Sequence, residues 1–369
     1  MIRREGVFPL GAKEALVLSV EEIESVADVR EEWDALADRV GATPFLRPGW
    51  FEAWAAAFAA GPVRVLAVRE GERLAAVIPF VARRGAVLSP TNWHTPAFGI
   101  VAESDGAREA VARALLARRA ARVDIAFVDA ANPTLDPLRE AATARGHTVV
   151  ERVAMRSPYV PLEGDFDGYR ESLPRKLRKE LGRLGRRLAD EGTVEYAFED
   201  GSERLDELLD EGFAVEGSGW KSEAGTAIAS REDTRRFYRD VARWAAGRGT
   251  LVLAFLRLDG RPLAFDMCIE DAGAIHVLKG GFDVDYRRFG PGTLLTATSI
   301  ERAYSLGLGS YELLGADDEY KRVWTSSVRE RLRFQAFAPS PAGWLSRLAW
   351  THGRTVAKRA LAEAERRRG

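Results

Sequence analysis

Arg287-Arg288-Phe289-Gly290-Pro291-Gly292 spells R-x-x-G-x-G between an apolar run, Ala274 to Phe282, and an amphipathic segment from about Thr293 to Leu306. A strand, a glycine-bearing loop and a helix N-terminus together make a device for holding phosphate. Glycines let backbone N–H groups approach an anion, and the helix dipole favours negative charge there. The same residues also read as a plain turn before a helix, with Thr293 as N-cap. The Rossmann fingerprint and the Walker loop are excluded, because neither G-x-G-x-x-G nor G-K-[S/T] is present.

Other reactive side chains are sparse. Asp266 follows an apolar run; buried there, its carboxyl would have a raised pKa and serve as a general base, or it is a hydrogen-bonded strand-end aspartate. His276 is a second candidate base near neutral pH, or a core histidine. Lys279 lies three residues further on, so in a regular strand the two point to opposite faces. Asp283 and Asp285 flank Val284 just before the loop and either order it through an Asx-turn or bind an acceptor amine. His94, His147, His276 and His352 form no H-x-x-x-H pair, and Cys268 is the only cysteine, so nothing proposes a metal site. As a nucleophile Cys268 lacks an identifiable base.

Two α/β halves have to position these groups. In the first, helices are expected over about 23–40, 49–59 and 107–119, and a further one ends at Gly146. Strands are expected over 64–69, 74–82, 86–88 and 123–128, with short connections that imply antiparallel hairpins. The second half repeats the order: helices over 174–190, 202–215 and 233–248, strands over 251–258, 262–270 and 274–281, the glycine loop, its helix, and a strand at 310–314. Pro158 and Pro161 mark the boundary, giving units 1–157 and 158–340 and a basic C-terminal helix over 341–369.

The chain has 369 residues, 46% hydrophobic and 30% charged, with a formal net charge of −1. That suits two domains with their own cores and excludes a polyanion binder by bulk charge. Neither a secretory signal nor an apolar run of membrane-spanning length is present, and one cysteine suits a reducing compartment, so a cytoplasmic location is expected. Locally, Arg170, Arg175, Lys176, Arg178, Lys179, Arg183, Arg186 and Arg187 crowd one helix. They form either a solvated face or a funnel for a polyanion. The C-terminal segment, with Trp344, Leu345, Leu348 and Trp350 among Arg and Lys, either packs on the body or lies on an anionic membrane surface.

Several ordered motifs carry a family resemblance: Gly219-Trp220-Lys221, Leu278-Lys279-Gly280-Gly281-Phe282-Asp283, Gly290-Pro291-Gly292-Thr293-Leu294-Leu295, and Leu314-Gly315 followed by Glu319-Tyr320-Lys321-Arg322-Val323-Trp324. Residues 160–335 resemble the CelD-type (cellulose-biosynthesis-type) acetyltransferase domain of the Gcn5-related N-acetyltransferase (GNAT) superfamily. The layout is similar to the FemX/FemAB aminoacyl transferases, with two such units in tandem. The resemblance implies an α/β fold of the α+β type, in which each unit is a mixed, mostly antiparallel sheet flanked by helices, the first without an acyl-CoA site of its own. It implies an acyltransferase using acyl-CoA such as acetyl-CoA, without metal. The strands 274–281 and 310–314 would splay to admit the pantetheine arm. Arg287, Arg288, Phe289, Gly290, Gly292 and Thr293 would grip the pyrophosphate, with Pro291 removing one donor. Tyr320 would protonate the leaving thiolate, with Asp266 or His276 as base. Trp220, Lys221, Lys279, Asp283 and Lys321 would meet the acceptor, an amine or hydroxyl on a sugar, envelope precursor or small metabolite. The alternatives are a FemX-like enzyme using charged tRNA, and a non-catalytic protein of polysaccharide synthesis.

Overall fold

Apolar runs of seven to eleven residues closed by two-residue turns that each carry a glycine fold here as antiparallel ladders, and the amphipathic stretches between them fold as helices laid on those ladders. The computed structural model describes residues 18–218, 228 and 231–351. They form two units. The first comprises Met1–Val40, Ala60–Ala154 and Arg331–Gly369, and the second Gly41–Ala59 and Met155–Glu330.

In the first unit the elements run β1 (Leu18–Ile23), α1 (Arg30–Arg39), then, after α2 (Pro48–Phe58) of the second unit, β2 (Arg64–Glu70), β3 (Arg73–Arg83), β4 (Ala86–Leu88), β5 (Val101–Ala102), α3 (Asp105–Leu116), β6 (Arg122–Asp129) and α4 (Leu135–Ala144). The second unit continues with β7 (Thr148–Pro161), α5 (Phe166–Ser172), α6 (Arg175–Ala189), β8 (Val194–Glu199), α7 (Leu205–Gly217), α8 (Glu232–Gly247), β9 (Leu251–Leu258), β10 (Arg261–Asp271), β11 (Ala274–Phe282), α9 (Pro291–Ser305), β12 (Ser310–Glu312) and α10 (Glu319–Arg322). β13 (Val328–Phe337) returns the chain to the first unit, and residues 341–351 are helical.

Each unit has a mixed, mostly antiparallel sheet flanked by helices, and both follow one plan. β2, β3 and β4 pair antiparallel, and α3 then leads to β6, which lies parallel to β4. Likewise β9, β10 and β11 pair antiparallel, and α9 leads to β12, parallel to β11. The strand after β6 is not used locally: β7 pairs with β12 of the second unit, and β13 pairs with β6 of the first. This strand exchange, with Gly41–Ala59 joining the second unit, means that no single cut near residue 157 separates the units. The segment 41–59 goes there because Trp50 packs edge-to-face on Phe237 of α8 at 5.2 Å and Arg47 pairs with Asp271 at 3.2 Å.

Local differences from the sequence expectation have simple causes. The helix expected from residue 23 begins at Arg30, after the edge strand β1 and a 3-10 turn capped by Ser25. The helix expected from Thr293 begins at Pro291. There the absent N–H belongs to the unpaired first turn, so Pro291 removes no helix hydrogen bond and its fixed φ suits the position. Leu177, Leu181, Leu184 and Leu188 give α6 its inward stripe, packed on Leu256, Leu294 and Phe289 among others, while its Arg and Lys stay outside.

Candidate active site

The site of interest lies in the second unit, where β11 and β12 meet. Only three residue pairs join them: Ala274 with Ser310, Ile275 with Tyr311, and His276 with Glu312. β12 then ends while β11 continues to Phe282, so the strands part beyond His276. β11 carries a bulge here. Cys268 pairs with Val277 and Met267 with Lys279, which leaves Leu278 without a partner in β10. A bulge frees main-chain groups and re-aims side chains.

This bulge corrects the facing of His276 and Lys279. Residues paired across an antiparallel ladder share a face. His276 pairs with Ile269 and Lys279 with Met267, both odd positions of β10, so the two side chains lie on the same face. That face meets α7, α8 and the 41–59 segment. The His276 ring is 5% exposed and sits edge-to-face on Phe45 at 5.0 Å. Lys279 Nζ lies 5.6 Å from the ring of buried Tyr238, whose phenol burial and then the charge of Glu216 push far above its ordinary value. Glu312, beside His276, is buried and committed to Arg329 at 2.7 Å and to the Ser310 hydroxyl at 2.8 Å.

Asp266 faces the other way, toward α9. Its register partner on β11 is Gly280, and a Cβ at Gly280 would be built onto Asp266 Oδ1. The missing side chain therefore makes room for the carboxylate. Three groups feel its charge: the Tyr311 phenol, the Cys268 thiol and the Tyr320 phenol. Burial is the first cause of the upward shift in Cys268, which is fully enclosed, so its thiol stays protonated. In Tyr320 desolvation, then Asp318, then Asp266 push the phenol above its ordinary value. Its ring nevertheless leaves 66% of the residue surface exposed on α10. Asp266 thus lies on the α9 face within electrostatic reach of Tyr320, and His276 lies on the far face.

Arg287 to Thr293 lie beyond the end of β11. Residues 284–289 form a 3-10 turn capped by Asp283, whose carboxylate accepts from Asp285 N and binds Arg261 at 2.7 Å. Asp283 is thus spent on ordering the loop. Gly290 sits at φ +59°, the left-handed region that glycine enters without steric cost, and a Cβ there would lie 2.7 Å from Leu184 of α6. α9 then starts, and Leu294 N closes its first turn on Gly290 O, so the N–H groups of Gly292 and Thr293 point outward unclaimed by the helix. Phe289 is core, 2% exposed, with the guanidinium groups of Arg288 and Arg187 at 4.6 and 5.4 Å from its ring. Arg187 also donates to Arg288 O at 3.4 Å. The basic helix is therefore joined to the glycine loop, a juxtaposition that a separation of 101 residues hid.

Lys321 turns inward. Its ammonium is 5% exposed and donates to Leu314 O and Ala316 O, both at 2.8 Å, which fixes the turn where Leu314 and Gly315 both have positive φ. Trp220 and Lys221 lie outside the described residues. Among the described residues no cluster of metal-ligating side chains occurs, and no helix is long and apolar enough to cross a membrane.

The plan of the second unit is thus four antiparallel strands, a helix entered through a glycine loop, and a strand that pairs and then parts. Residues 175–322 match the family described as an acetyltransferase (GNAT) domain, a stretch that lies within the second unit. Solved structures agree on the fold. The C-terminal domain of a putative lysylphosphatidylglycerol synthetase from Agrobacterium fabrum is 14% identical with a TM-score of 0.57, over 89% of this chain and 96% of that one. FemX is 15% identical with a TM-score of 0.54, over 85% of this chain and 96% of that one. A conserved protein of unknown function from Bacteroides thetaiotaomicron is 14% identical with a TM-score of 0.50, over 86% and 99%. No curated protein matches the sequence. At these identities the likeness is one of fold alone.

Proposed function

We propose that the second unit transfers an acyl group from acyl-CoA, acetyl-CoA being the simplest donor, to an amine or hydroxyl of a sugar, envelope precursor or small metabolite. The observation that carries this reading is the parting of β11 from β12, with the N-terminus of α9 at the open end of the gap. A pyrophosphate there would meet the N–H groups of Gly292 and Thr293, the helix dipole, and the exposed guanidinium of Arg287. The pantetheine arm would lie along the freed edge of β11 and bring the thioester to the bulge at Leu278. Asp266 is the proposed base: it takes the proton of the acceptor as the nucleophile bonds to the acyl carbon. Tyr320 is the proposed acid: its raised phenol stays protonated near neutrality and gives its proton to the sulfur as the C–S bond breaks. By the same reading an acyl-CoA donor sets the reaction in the cytoplasm.

Calorimetry with CoA and acetyl-CoA, followed by thiol release in the presence of amine acceptors, tests this directly. Absence of CoA binding would sink it. A second reading, transfer from aminoacyl-tRNA, draws on the exposed Arg175, Lys176, Arg178 and Lys179 of α6, the helix whose Arg187 meets the glycine loop. It requires tRNA binding with a steep salt dependence and none to CoA.

A further inference from the structure

At one end of the first unit a basic cleft and an apolar helix stand side by side. The cleft holds about 420 Å³ and is lined by Arg118, Arg119, Arg145, His147, Ala338 and Pro339 among others. The β3–β4 turn, Arg83-Arg84-Gly85, adjoins it, because Ala121 N donates to Gly85 O at 2.7 Å while Ala338 N donates to Ala121 O at 3.0 Å. Arg118 is neutralised by Glu22 at 2.7 Å. Arg83, Arg84, Arg119 and Arg145 are exposed and form no ion pair among the described residues. Four guanidinium groups are thus left for an outside anion.

The helix over 341–351 begins two residues past the cleft wall. Trp350 fastens its inner side, with the ring 6.4 Å from Phe337 and under the Arg152 guanidinium at 5.2 Å. Trp344 and Leu345 face outward, each 58% exposed. Residues 352–369 then add six cations, Arg354, Lys358, Arg359, Arg366, Arg367 and Arg368, against Glu363 and Glu365. An adjacent Trp–Leu pair needs an apolar medium and the arginines need phosphate. A bilayer surface supplies both at one depth, since Trp suits the headgroup boundary and anionic lipids attract basic segments.

We propose that this end of the first unit docks on an anionic phospholipid surface, with a lipid phosphate in the cleft between Arg119 and Arg145 and with Trp344 and Leu345 in the headgroup boundary. Charge complementarity selects the lipid over a second copy of the chain, which would bring like charges together.

Sedimentation of the full chain with vesicles of phosphatidylcholine alone, or mixed with phosphatidylglycerol, tests the proposal. Binding is expected only on the mixed vesicles and should collapse at about 0.5 M salt, where screening is short-ranged. Arg119→Glu with Arg145→Glu should lower the partition coefficient about tenfold or more, each cation near an anionic surface contributing comparably. Trp344→Ser with Leu345→Ser should weaken it independently. Thermal unfolding at the wild-type midpoint would show that both variants are folded. Equal binding to phosphatidylcholine alone, or full binding by the double arginine variant, would overturn the proposal. Release by inorganic phosphate at constant ionic strength would also overturn it, by assigning the cleft to free phosphate. So would release by tRNA at constant ionic strength, which would assign the surface to nucleic acid.

Discussion

Gly280→Ala puts the pairing of Asp266 with the open strand edge to a quantitative test. Gly280 has no left-handed φ, so alanine carries no backbone strain there, and in a strand interior it would by itself be favoured over glycine by about 0.5–1 kcal/mol. The methyl group, however, would occupy the place of Asp266 Oδ1, and it would lie 3.0 Å from Asp266 Cγ and 3.2 Å from Phe265 O. The backbone oxygen is fixed, so the carboxylate must move. Leaving its rotamer and crowding the α9 face should cost about 1–3 kcal/mol, the range of overpacked sites. If Asp266 is the base, turnover should fall roughly 10²- to 10⁴-fold with acyl-CoA affinity unchanged. In an Asp266→Ala background there is no carboxylate to displace. Gly280→Ala should then be neutral or slightly stabilising and remove no further turnover. Urea unfolding and thiol release on the four proteins of this cycle give a predicted coupling of about 1–3 kcal/mol. Equal cost in both backgrounds would refute the contact. Full turnover by a destabilised Gly280→Ala would keep the contact and reduce Asp266 to a structural role.

Two further outcomes follow from the same geometry. Gly290→Ala should destabilise the second unit by about 1–2 kcal/mol for the left-handed backbone alone, with more from the contact to Leu184, and should weaken CoA binding by calorimetry; wild-type stability would mean that the loop relaxes freely. Tyr320→Phe should lower turnover roughly 10- to 10⁴-fold while leaving CoA affinity in place. Because the Tyr320 phenol is pushed above its ordinary 10.0, its deprotonation removes activity only beyond that pH, and a pH–rate profile falling between 7 and 9 would have to come from another group.

The parts of this site that were legible in the sequence are those set by local chemistry. β9, β10 and β11 announce themselves by apolar runs and by Asp259-Gly260, and α6 by leucines at helical spacing on a charged background. The glycine loop stands between the elements that its pattern requires. β7, β8 and β13 went unread because their burial is partial. β13 alternates Arg329, Arg331 and Arg333 with other residues, and this reads as polar chain until Glu312, Asp129 and Asp124 are found to pair with those arginines. The exchange of β7 and β13 depends on pairing between segments far apart in sequence, for which no local signal exists. Lys321 misled for a related reason: a lysine beside an exposed tyrosine suggests a ligand contact, yet two carbonyls of a tight turn claim it.

The bulge at Leu278 decides most about the chemistry, and spacing alone could not show it. Without it, Lys279 would face α9 on the same side as Asp266. One unpaired residue moves Lys279 to the face of His276 and Tyr238 and leaves glycine at 280 opposite Asp266. The two faces of β11 thereby separate functions. One packs His276 against Phe45 and Lys279 over Tyr238. On the other, Gly280 leaves room for Asp266 of β10, whose charge reaches the Tyr320 phenol of α10. Leu278, which has no reactive atom, is the residue whose extra position in the strand sets Lys279 and Asp266 on opposite faces.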